Sequence, residues 1–203
     1  MTMMIPMTMK SSNCGIDPVC RDVIRAAKEG DAQLLRRTLR HDIPAKVLIN
    51  ALCYSVSNGS LLCCGLLLDK GADVNGIGLY GSTPLSTAAG RLKVEIAEIL
   101  LQHGANVNAK DEIGRTPLLT AILSLAELGF LRMLLDAGAD ANMADSRGLT
   151  PLWAEMLENR NPDIVRLLLE YGADASVAYF GKTLLEVARK NDLKELEPFF
   201  GKW

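Results

Sequence analysis

Covalent or metal chemistry in this chain of 203 residues would have to begin with two histidines, five cysteines and a scatter of carboxylates. His41 and His103 are the only histidines and stand far apart in the sequence, so a histidine-based triad or a histidine-rich metal centre lacks its second ring. Cys63 and Cys64 are adjacent within an apolar stretch. Adjacency points their side chains to different faces, which suits neither tetrahedral zinc nor a Cys-x-x-Cys redox pair, and they read as small buried hydrophobes. No glycine-rich phosphate loop is present, and no pair of carboxylates stands out from the surface acids. Arg36, Arg37 and Arg40 form a basic patch that could meet an acidic partner or nucleic acid, or simply be solvated. No catalytic, cofactor-binding or metal-ligating residue is therefore assigned, no cofactor is expected, and the chain reads as a protein that is not an enzyme.

Composition narrows the partners. Hydrophobic residues make up 49% of the chain, enough for a sizeable core, and the formal net charge is −2. Between Ala45 and Val177 there are 10 Lys and Arg against 15 Asp and Glu, so the middle is acidic and the ends slightly positive. An acidic middle repels a polyanion, and no nucleic-acid ligand is expected. Cys14, Cys20, Cys53, Cys63 and Cys64 are odd in number and irregularly spaced, which fits a reducing compartment better than a disulfide framework. The Met-rich opening lacks the order of a secretory signal, and no run approaches the roughly 20 apolar residues that span a bilayer. The expectation is a cytoplasmic protein with no membrane partner.

The elements that position these residues follow a fixed period. Gly71-Ala72-Asp73-Val74, Gly104-Ala105-Asn106-Val107, Gly138-Ala139-Asp140-Ala141 and Gly172-Ala173-Asp174-Ala175 recur at steps of 33, 34 and 34 residues. Thr83-Pro84-Leu85, Thr116-Pro117-Leu118, Thr150-Pro151-Leu152 and a degenerate Thr183-Leu184-Leu185 keep nearly the same step. In each unit the threonine hydroxyl can cap free helix N–H groups, and proline fits the first helical turn without losing a bond. A second amphipathic helix then ends in leucines: Leu66 to Leu68, Leu100-Leu101, Leu134-Leu135 and Leu167 to Leu169. The glycine after each run suits a left-handed helix end. Asp73, Asn106, Asp140 and Asp174 are expected to bond nearby backbone in the turn that follows, with Asn75, Asn108 and Asn142 two residues on.

This unit resembles the ankyrin repeat, whose pattern runs through Thr-Pro-Leu-His, a helix ending in Leu-Leu, and Gly-Ala-Asp-Val-Asn. Residues 81–109 and 111–143 carry the likeness most closely, and two weaker copies precede them, over Val23 to Arg40 and Val47 to Asn75. The resemblance implies an all-α solenoid of about six helix-turn-helix repeats with short projecting β-turn or hairpin loops. The expected division is a flexible tail over 1–16 and a repeat domain over 17–203, with repeats at 17–44, 45–75, 76–110, 111–144, 145–177 and 178–203. Ser86, Leu119 and Trp153 stand where the family usually has histidine, which puts the usual polar bonds between repeats in question. The step from Thr to Gly is one residue longer in the fourth and fifth repeats, and the helix-to-helix turns at Gly129 and Asn161-Pro162 are the expected places for the extra residue.

The resemblance also implies that partners are gripped by the projecting turns and the concave face of the first helices. At those positions stand Leu79, Tyr80, Glu112, Ile113, Arg115, Arg147, Leu149, Tyr179, Phe180 and Lys182, joined by Arg91 and Trp153 on the helices. Tyr80, Ile113, Trp153 and Phe180 make a row of apolar anchors with arginines between them, the residue types that binding hot spots favour. The plainer alternative is that Trp153 fills a gap between repeats and Tyr179-Phe180 packs on the terminal cap. Asn75, Asn108 and Asn142, each eight residues after a leucine, resemble asparagines that are hydroxylated in eukaryotic ankyrin repeats, with a purely structural turn as the alternative. The expected function is a non-catalytic protein–protein interaction module, whether adaptor, inhibitor or effector, binding a protein partner. The alternative is a structural subunit or assembly factor of a larger complex. A monomer is expected unless the chain is built into a hetero-complex.

Overall fold

The computed structural model of the chain describes residues 17–78 and 81–200. The Met-rich opening, Leu79, Tyr80 and the last three residues of the expected terminal cap lie outside them. The described residues form twelve helices: α1 Pro18–Glu29, α2 Ala32–Thr38, α3 Ala45–Asn58, α4 Leu61–Asp69, α5 Pro84–Gly90 and α6 Val94–Gln102, then α7 Pro117–Leu123, α8 Leu128–Asp136, α9 Pro151–Glu158, α10 Pro162–Glu170, α11 Leu184–Lys190 and α12 Glu197–Phe200. They pair in chain order. The described residues form an all-α solenoid of six helix pairs.

Local chemistry sets where the helices begin. The hydroxyls of Thr83, Thr116 and Thr150 accept from the N–H of Ser86, Leu119 and Trp153, with proline at the first helical position each time. Thr183 does the same for Glu186, whose carboxylate accepts in return from the Thr183 N–H at 2.9 Å, closing a capping box that replaces the missing proline. The second helix of each of the middle pairs stops at a left-handed glycine, Gly104 at φ 82° among them. The turn between the two helices of each pair also passes through one left-handed residue. That residue is Gly30 or Gly59 in the first two pairs, but Leu92, Leu125, Arg160 and Asp192 in the other four.

The extra residue of the fourth and fifth repeats is absorbed in two ways. Between α7 and α8 it lengthens the connection, while in the fifth pair it lengthens α9 itself, to eight residues against seven for α5 and α7. Gly129 lies inside α8 and Pro162 starts α10 behind an Asn161 cap, so neither is the place of insertion.

Packing follows the period. α1, α3, α5, α7, α9 and α11 lie side by side in one layer, each touching the next, and each also touches its own second helix. One apolar core runs without a break from Val23 in α1 to Phe200 in α12. Leu67, Leu100, Leu134 and Leu168 are fully enclosed in it, as the leucine runs predict. A single pair has too little apolar area to stand alone, so each pair is stabilised by the next.

Candidate partner-binding site

The two middle projecting turns, at 111–115 and 145–149, are each built around an aspartate whose side chain is buried. The Asp111 carboxylate accepts from the N–H of Ile113 (3.0 Å) and Arg115 (2.8 Å), and Asp145 from those of Arg147 (2.8 Å) and Leu149 (3.0 Å). Backbone bonds close the tips, from Gly78 N–H to Ser82 O, Asp111 N–H to Arg115 O and Asp145 N–H to Leu149 O. The last tip is one residue tighter, closed by an isolated antiparallel bridge between Tyr179 and Lys182. Burial acts to raise the Asp145 carboxyl, but the N–H groups of Leu149 and Arg147 and the Arg147 guanidinium outweigh it and hold the carboxyl below its ordinary value. Adjacent tips also touch, since the Ser146 N–H donates to Ile113 O at 3.0 Å.

The candidate residues separate into three groups. Ile113, Glu112, Arg91, Phe180 and Lys182 are exposed, and Tyr179 is half-buried. Arg115 and Arg147 reach the surface but are tied back to Asp111 and Asp145 at 3.0 Å, so their guanidinium groups serve their own turns first. Leu149 and Trp153 are buried, and this corrects the expectation that both face a partner. Trp153 is 1% exposed because its ring fills the space between repeats, where the indole N–H donates to Val177 O at 2.7 Å. Leu79 and Tyr80 fall outside the described residues.

At the C-terminal end the buried ring supports an exposed one. Trp153 lies 5.6 Å from Tyr179, and Tyr179 meets Phe180 edge-on at 4.5 Å between centroids. Phe180 is 81% exposed and holds a left-handed φ of 48°, a conformation that bulky residues rarely adopt. Tyr179 and Phe180 border an open cleft of about 620 Å³, with Leu157 and Val187 on its walls and Lys182 and Lys190 at its rim.

Three features escape reading from the sequence. The first is an asparagine ladder. Asn75, Asn108 and Asn142 each donate to the carbonyl of the next repeat's glycine (Gly104, Gly138 and Gly172, at 2.8 to 3.0 Å). Each also accepts from the N–H of Asn106, Asp140 or Asp174 in that same turn. The ladder supplies polar bonds between repeats where the histidines are missing, and the fixed step of these asparagines was its visible signal. The second is Glu155, a carboxylate with no exposed surface that accepts from Asn159 Nδ2 and Asn161 N–H, both at 2.9 Å. Burial pushes its carboxyl above the ordinary value, against those two bonds. The third is a polar cleft among α3, α5 and α7, which no single repeat reveals.

Burial pushes the thiols of Cys53 and Cys64 up to about 11 and about 12, so both stay protonated near neutral pH. Cys20 and Cys63 are buried free thiols, and Cys14 lies outside the described residues. The His103 ring places Nδ1 2.9 Å from Ile99 O at the end of α6, and His41 is exposed. No helix among the described residues is long and apolar enough to cross a membrane. Compared with known proteins, residues 23–111, 52–145 and 118–196 match a family model described as ankyrin repeats, three copies. No curated protein matches the chain.

Proposed function

The chain belongs to the ankyrin repeat family, and from that premise we propose that it is a non-catalytic interaction module holding one protein partner against its turn tips and the face of its first helices. Ankyrin repeats are generally protein–protein interaction modules, and the exposed aromatic at the C-terminal tip is the observation that carries the reading for this chain. Phe180 is disfavoured twice, by its exposed ring and by its left-handed backbone, a conformation that costs on the order of 1–3 kcal/mol and recurs at functional sites. Tyr179, itself packed against the buried Trp153, supports one edge of the ring, which lowers the entropy that a partner loses in meeting it. Ile113, 47% exposed two tips earlier, continues the surface. Glu112, Lys182 and Arg91 supply polar contacts around these anchors, with Arg115 and Arg147 at the edge.

The test is chemical crosslinking of the full chain in its source lysate, beside an Ile113→Ala/Phe180→Ala variant. Both sites are exposed, so the variant is expected to keep its thermal midpoint while capture of the main crosslinked protein falls about tenfold or more, as for a hot-spot pair. Undiminished capture by a folded variant would remove the turn tips from the binding surface.

A further inference from the structure

A second cleft, of about 240 Å³, opens on the same layer of first helices, two to four repeats before Phe180. It is lined from three successive pairs, by Asn50, Tyr54 and Ser57 of α3, Thr87 and Arg91 at α5, and Thr120 of α7, among others. Its chemistry is unlike that of the aromatic cleft. Behind its wall lie two buried polar atoms of lining residues, Asn50 Oδ1 and Thr120 Oγ1, which have no hydrogen-bond partner among the described residues. Buried polar atoms are almost always paired, because leaving one unpaired costs about 1–3 kcal/mol. The Arg91 guanidinium is exposed at the cleft and has no ion-pair or hydrogen-bond partner among the described residues, while most other arginines of the middle repeats are paired. Lys28, which does not line the cleft, stands over the Tyr54 ring at 4.5 Å. Among the described residues no carboxylate lines the cleft, although the surrounding repeats are acidic.

From this arrangement we propose that the cleft is a carboxylate pocket, which takes an Asp or Glu side chain of an extended segment of the partner. The proposal rests on the interaction-module reading and assigns that partner's chemistry at Arg91, in a part of the surface that contains neither Ile113 nor Phe180. A single guanidinium matches one carboxylate through two parallel N–H···O bonds, whereas phosphoryl groups are usually met by clusters of arginines. The Thr120 hydroxyl, buried and unpaired among the described residues, would turn out about χ1 to donate to the same anion. The Asn50 amide, likewise buried and unpaired among the described residues, would turn out to accept a backbone N–H of the flanking peptide. With liquid water at about 30 Å³ per molecule, the cleft has room for a carboxylate side chain and its adjoining peptide. Gly90, at the end of α5, leaves this space open, since a Cβ there would stand 3.3 Å from Thr120 Cγ2.

The experiment is a titration of the ¹⁵N-labelled full chain with N-acetyl-glutamate N-methylamide, followed by amide chemical shifts. The matching glutamine and phosphoserine compounds are run in parallel. The glutamate probe is expected to give saturable shifts confined to Tyr54, Ser57, Arg91 and Thr120 and their neighbours, and the glutamine probe to bind at least tenfold more weakly. Arg91→Gln is expected to weaken the glutamate probe by about tenfold, the usual worth of a charge-assisted bond. Thr120→Val is the second variant. It removes an unpaired buried hydroxyl, so it leaves the thermal midpoint unchanged or higher while weakening the probe several-fold; a purely structural hydroxyl would lower the midpoint and leave binding alone. The proposal is overturned by no shifts at these residues up to the probe's solubility, by equal binding of the glutamine compound, or by full binding to Arg91→Gln. Tighter binding of the phosphoserine compound would overturn the carboxylate assignment. None of these outcomes depends on Phe180, so the pocket can fail while the turn-tip surface stands, and the reverse.

Discussion

Glu155 and Asp145 are both buried carboxylates, and their opposite surroundings give them opposite effects on stability. Glu155 binds its proton more tightly in the folded chain than in the unfolded one, because burial outweighs its two bonds. Its contribution is therefore whole below the ordinary glutamate pKa, about 4.3, and is lost as pH rises through the raised folded value. Asp145, held below its ordinary value, contributes above about 3.9, and that contribution is lost as pH falls through the lowered folded value. In denaturant unfolding measured across pH, Glu155→Gln is expected to flatten the loss of stability on rising from about pH 4.3, while leaving the acid limb carried by Asp145. A slope unchanged in that variant would mean that the Glu155 charge is solvated after all. Neither role is legible in the sequence. Asp145 stands at its place in the repeat like any turn aspartate, and Glu155 looks like one more surface acid on a helix until Asn159 and Asn161 fold back over it.

The turns between paired helices show how far sequence reading reaches at the scale of an element. Helix starts were legible, because Thr-Pro and the glycine ends act through neighbours within four residues of themselves. The left-handed residue inside each pair was not, since Leu92 and Leu125 carry no mark of that conformation. Leu125 is 66% exposed, so its side chain has little packing to offset the backbone cost. Leu125→Gly is expected to raise stability by up to about 1 kcal/mol, the relief of strain exceeding the extra chain entropy of glycine in the unfolded state. Differential scanning calorimetry checks this, and a lowered midpoint would show that the leucine packs in solution. The same limit explains Trp153. Its sequence position is that of a helix residue near the partner face, and only the Val177 carbonyl, 24 residues on at the end of the same repeat, turns the ring inward.

Over the whole molecule, stability is close to a sum of pairs and their contacts with neighbours. A defect in a middle helix is then felt by both flanking pairs. Leu100 is fully enclosed in α6, and Leu100→Ala is expected to cost about 2–5 kcal/mol through lost burial and the cavity left behind. The measurement is the thermal midpoint, and an unchanged value would contradict its place in the core. The count of repeats and the run of the core were readable from the 33- and 34-residue steps, because periodicity is a property of the chain. The polar cleft was not readable, because Asn50, Arg91 and Thr120 become neighbours only when three pairs stack.

The asparagine ladder has a consequence for how such an array changes length over generations. On the receiving side every rung is backbone: the carbonyl of a helix-closing glycine and the N–H two residues later. An asparagine so placed accepts any neighbour with that turn, whatever its side chains, so whole units can be duplicated, deleted or exchanged without renegotiating the junction. At Ser176 the pattern ends. Its side chain bonds Asp174 within its own turn instead of reaching onward, and the sixth pair is joined through the shared apolar core and the Arg166 guanidinium over the Phe199 ring. Growth at that end needs a new asparagine, whereas growth anywhere between Asn75 and Asn142 needs only another copy of what is already there.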